Sequence, residues 1–88
     1  MILSNEEIKQ VVVEIPKGHI HLRTTIVLYD GRELTFQEAT IASLVRAFLM
    51  VKTHPELTKI RLEGQRLPTR KEGFAEWQLV ETDTEAVS

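Results

Sequence analysis

Ile26-Val27-Leu28-Tyr29-Asp30-Gly31-Arg32-Glu33-Leu34-Thr35-Phe36-Gln37-Glu38 (residues 26–38) carries three signals in succession: an apolar run, a Tyr-Asp-Gly turn, and a short strand pattern that runs into a helix start. The length of the turn decides which way the strands face. A two-residue Asp30-Gly31 loop sets Val27 opposite Leu34 and Thr25 opposite Phe36, leaving two large apolar side chains on the polar side. A three-residue loop with Gly31 in the left-handed conformation sets Ile26 opposite Leu34 and Thr24 opposite Phe36, on the apolar side. The expected connection is therefore three residues long, followed by a short strand over residues 32–35.

Upstream, Lys9-Gln-Val-Val-Val-Glu-Ile-Pro16 is rich in β-branched residues and stops at proline, and residues 19–28 read as a second strand. A two-residue loop at Lys17-Gly18 places Ile15 opposite Ile20, Val13 opposite Leu22 and Val11 opposite Thr24. One face is then almost wholly apolar. The other carries Gln10, Val12, Glu14, His19, His21, Arg23 and Thr25.

Downstream, Thr35-Phe36-Gln37-Glu38 fits a capping box, and a helix is expected to run from there to about Thr53, where Pro55 discourages its continuation. At 100° per residue Ile41, Leu44, Val45, Phe48, Leu49 and Val51 share a broad apolar face, read as the core face. Residues 58–63 alternate strictly, and residues 74–81 place Trp77 and Leu79 opposite Gln78 and Val80, giving two more strands. The order β-β-β-α-β-β predicts an α+β fold, one largely antiparallel sheet with a single long helix packed across one face.

In that hairpin–helix–strand order, Arg61-Leu62-Glu63-Gly64-Gln65-Arg66-Leu67 resembles the strand and turn that follow the helix in ubiquitin-like β-grasp domains. The resemblance implies a β-grasp-like mixed sheet as the alternative topology. It reaches no catalytic motif and no Gly-Gly tail, and it implies no function.

With 88 residues, 42% of them hydrophobic and 27% charged, a single domain over residues 1–82 is expected. Residues 83–88 are small and acidic and read as a disordered tail. The chain has no cysteine, which excludes disulfides, thiol nucleophiles and thiolate metal sites. No apolar run approaches a membrane span and the first residues lack a signal-peptide pattern, so the expected location is the cytoplasm, with no membrane partner.

Charge is unevenly placed. Residues 46–71 hold seven bases and two acids, net +5, whereas residues 72–88 hold five acids and no base. Arg61, Arg66, Arg70 and Lys71 are the candidate anion-binding residues of that basic stretch, with nucleic acid as the alternative partner. Bases and acids separated in sequence are often neighbours in space, and the acidic end is placed to screen them.

His19 and His21 are two residues apart on the expected second strand, the spacing at which two imidazoles share a face and hold one metal ion, with Glu14 expected opposite His21 as a third ligand. Two surface histidines flanking a buried Ile20 is the ordinary alternative. A metal-dependent enzyme at a subunit interface, using that face, is a further alternative. Ser4, Ser43 and Ser88 lack a nucleophile-elbow context, and glycines 18, 31, 64 and 73 are too scattered for a nucleotide loop. No catalytic residue and no cofactor is expected.

Ala39, Ser43 and Ala47 recur every four residues on the helix side away from the expected core, with Met50 close by, and small residues there permit close approach of a second element. Val12, Val27 and Tyr29 add apolar surface to the outer sheet face. These seven residues are the candidate interface, and the function expected is a small non-enzymatic protein-interaction domain, homodimeric or binding another protein.

Overall fold

The structure is a computed structural model, which describes residues 2–68 and 77–86. A 3-10 turn at Asn5–Glu7 precedes β1 (Ile8–Glu14), β2 (Arg23–Leu28), β3 (Glu33–Gln37), α1 (Glu38–Thr53), β4 (Leu57–Arg66) and β5 (Trp77–Ala86). The α+β class and the order β-β-β-α-β-β follow the sequence pattern. The strands form two antiparallel sheets, β1-β2-β3 and β4-β5, instead of one. Every pairing among the described residues is antiparallel, so the mixed sheet of a β-grasp is not formed. The chain divides into two compact units, residues 1–41 and 42–88, where the pattern predicted one domain. No helix among the described residues is long and apolar enough to cross a membrane.

In the first unit, Ile26 pairs with Leu34 and Thr24 with Phe36, as the three-residue loop requires. Gly31 has φ +93°, its N–H donates to the Leu28 carbonyl at 3.0 Å, and the Leu28 N–H donates to the Arg32 carbonyl at 2.9 Å. Glycine is needed there because an L side chain in that region costs about 1–2 kcal/mol.

The β1–β2 hairpin differs from expectation. Val11 pairs with Ile26, Val13 with Thr24 and Glu14 with Arg23, two residues away from the register predicted for a Lys17-Gly18 loop. A tight two-residue turn needs a positive φ at its first central residue, which Lys17 resists, and Pro16 has no N–H to give to a ladder. The chain instead makes a wider connection over residues 15–22, with the His19 N–H donating to the Pro16 carbonyl at 2.9 Å and Gly18 at φ +84°. A shift of two residues keeps every side chain on its predicted face. Ile8, Val11, Val13, Ile26, Leu28, Leu34 and Phe36 therefore line one side of the sheet, with Thr24 among them.

The expected capping box does not form. β3 continues to Gln37 because Thr35 and Phe36 pair with Thr25 and Thr24, and the Thr35 hydroxyl lies 3.0 Å from that of Thr25. Cross-strand pairing of a β-branched and an aromatic residue outweighs a local cap.

In the second unit, β4 and β5 form a ribbon in which Leu62 pairs with Glu81, Gly64 with Leu79, Ile60 with Thr84 and Arg61 with Asp83. Residues 83–86, expected as a disordered tail, belong to β5. The expected start of that strand at Phe74 lies outside the described residues. Ser43, Arg46, Ala47 and Met50 of α1 share a small cavity of about 70 Å³ with Leu62, Leu79 and Glu81. The helix thus turns its small-residue side to this ribbon, the reverse of the orientation its apolar periodicity predicts. Ser43 and Ala47 permit a close approach, and a two-stranded ribbon offers too little apolar area for the broad side.

Candidate interaction surface

The sequence-predicted site residues fall into three places. His19 and His21 lie in the connection before β2 and not on a strand, so strand alternation does not set them side by side. Glu14, expected opposite His21, is opposite Arg23. His21 Nδ1 is instead 2.8 Å from Glu38 Oε2, joining the connection to the first residue of α1. No group of three or more His, Cys, Asp or Glu among the described residues is placed to hold a metal ion.

The basic stretch meets the acidic end of the chain. Lys59 Nζ lies 3.7 Å from Glu85 Oε1 and Arg61 Nη1 lies 4.0 Å from Asp83 Oδ2, each pair directly across the β4–β5 ladder. Arg66 is opposite Trp77. Arg70 and Lys71 lie outside the described residues. Two cations of the predicted anion site are thus partly offset by carboxylates. Solvent-exposed pairs of this kind contribute little to stability, but they lower the local positive potential.

Leu3, Glu6, Glu7, Leu28, Tyr29, Asp30 and Arg32 surround an open hollow of about 360 Å³ in the first unit. Its polar groups are engaged with one another. The Tyr29 N–H donates to the Glu7 carbonyl at 3.1 Å, and Arg32 donates to Asp30 from its backbone N–H at 3.0 Å and from Nε at 2.8 Å. The Arg32 N–H, and then its guanidinium, hold the Asp30 carboxyl below the ordinary aspartate range against a smaller opposing desolvation. This is the chemistry of a tied-off turn, not of a ligand cradle.

The candidate interface residues also separate. Ser43, Ala47 and Met50 face β4–β5, Ala39 is exposed, Val12 and Val27 are half-buried opposite Thr25 and Gln10, and Tyr29 is exposed at its turn. The surface that is apolar and uncovered is the one read as core. Phe48 is 62% exposed and Leu44 57%, with Val45 and Leu49 about half exposed beside them. On the first sheet Val13 is 61% exposed, and Val11 and Leu34 are exposed with it. Among the described residues only Leu28 is buried, at 4%.

Exposed apolar surface on this scale marks an interaction site, because each such side chain left in water forgoes roughly 1.5–3 kcal/mol of burial. The sequence signal that locates it is the Ala39-Ser43-Ala47 spacing. Small residues mark the side of a helix that packs closely, and the large side is then free for something else. Comparison with protein-family models, with curated proteins and with solved structures finds no match.

Proposed function

We propose that this chain is a non-enzymatic protein-interaction module that works as a homodimer. The observation that carries the reading is the exposed face of α1, where Leu44, Val45, Phe48 and Leu49 stand together on the side opposite the small residues that meet β4–β5. A helix with one face against its own ribbon and a second, larger apolar face in solvent has one face too many for a self-sufficient fold. The polar groups support the same reading. His21 is bound to Glu38, Asp30 to Arg32, Lys59 to Glu85 and Arg61 to Asp83, so these charges serve the fold's own turns and ladders.

Molar mass by light scattering over a concentration series tests it. A mass of twice 10.1 kDa that persists on dilution is the expected result, and a mass of 10.1 kDa throughout would overturn the homodimer.

A further inference from the structure

Two apolar faces stand uncovered: the helix face of Leu44, Phe48 and Leu49, and the sheet face of Val11, Val13 and Leu34. Resting on the homodimeric reading above, we infer that they cover each other between two copies, the helix of each chain lying on the three-stranded sheet of its partner. Helix on sheet is one of the few layerings that bury both kinds of face, and in a two-fold pair the same contact is made twice.

Three observations select a second copy as the occupant. Both faces lack charge: the residues aligned on the β1–β3 side are Thr24 and aliphatic or aromatic side chains, and the exposed helix face is aliphatic and aromatic. An acidic or basic partner would find nothing to pair with, whereas these two surfaces match each other. The second observation is area. The chain exposes 7509 Å², whereas a folded monomer of 10.1 kDa exposes about 5,300 Å², a surplus of about 2,200 Å² per chain. Counted over two copies, that surplus lies within the roughly 2,000–5,000 Å² hidden in an obligate homodimer.

The third observation is the connection. β3 ends at Gln37 and α1 begins at Glu38, with no residue between them. Laying a helix back on the sheet it follows takes about two to six connecting residues, a requirement that a helix from another chain does not face. Short connections of this kind favour exchange of elements between copies.

The test is isotope-filtered NMR on the full chain, with ¹³C-labelled and unlabelled protein unfolded together and refolded as a mixture, alongside the molar mass. The expected result is a mass of twice 10.1 kDa with intermolecular contacts from the Phe48 ring to the methyl groups of Val11, Val13 or Leu34. A dimer in which Phe48 contacts only α1 of the other copy would overturn the exchange and leave the homodimer standing. A mass of 10.1 kDa with Phe48 meeting those methyl groups within one chain would overturn both, as would a monomer with no such contact. Because the unmodified chain is used, no outcome depends on whether a variant folds.

Discussion

His21 and Glu38, seventeen residues apart, meet at 2.8 Å, so the connection before β2 is tied to the first residue of α1 by an imidazole–carboxylate hydrogen bond. Both side chains are well exposed, at 72% and 42%, and the pair is screened by solvent. His21→Ala and Glu38→Gln are each expected to lower stability by no more than about 0.5 kcal/mol, measured by urea denaturation, with the double variant no worse than the worse single. A loss several times larger would mean that this contact organises the connection.

The Asp30–Arg32 turn has a pH signature. A carboxyl whose pKa is lowered on folding stabilises the fold above the ordinary aspartate range, and that contribution disappears as pH falls through the folded-state value. NMR titration of Asp30 is expected to give a midpoint below that of an unstructured aspartate. Arg32→Ala should keep most of the lowering, because the largest cause is the backbone N–H and not the guanidinium. Return to the ordinary value in Arg32→Ala would assign the effect to the side chain.

Gly31→Ala isolates backbone strain from crowding. A Cβ added at Gly31 meets nothing within 4 Å, so the whole cost is the φ of +93°. Thermal or denaturant unfolding should show a loss of about 1–2 kcal/mol. Gly31→Asn should lose less, since asparagine tolerates the left-handed region better. An unchanged melting curve for Gly31→Ala would show that the loop has another conformation open to it.

Asp83 and Glu85 partly offset the positive potential of Arg61 and Lys59. Neutralising both, as Asp83→Asn with Glu85→Gln, is expected to strengthen binding to a polyanion such as heparin at low salt and to steepen its salt dependence, since uncompensated cations release more counterions. Retention equal to that of the parent chain at every salt concentration would show that these carboxylates do not mask the basic strand.

Phe48→Glu places a charge at the centre of the exposed helix face. The expected outcome is a fall in molar mass to 10.1 kDa with the far-ultraviolet circular dichroism retained, because Phe48 is 62% exposed within its own chain. Ser43→Glu, on the side that meets β4–β5, should instead damage the fold, since it puts a charge beside Leu62 and Leu79. Equal loss of structure in both variants would mean that the two helix faces are buried alike.

Local chemistry was enough for the elements and for the faces of the first sheet. Tyr29-Asp30-Gly31 specified its own loop, because one position requires a left-handed residue and one register alone puts Leu34 and Phe36 on the apolar side. The β1–β2 register slid by two residues without disturbing those faces, since the side-chain period of a strand is two. The cross-strand neighbours of His21 and Glu14 did change, and the residue grouping read from them was lost with the register.

Tertiary structure alone decided the partner of each face. The helix carries a broad apolar side and a small-residue side, and periodicity ranks the broad side as core by area. Packing against a narrow ribbon ranks by approach distance, and there Ser43 and Ala47 win over Leu44 and Phe48. The acidic end likewise reads as solvated when taken by itself. It became a strand because Asp83 and Glu85 found Arg61 and Lys59 across the ladder, a pairing between residues more than twenty positions apart that no local pattern encodes.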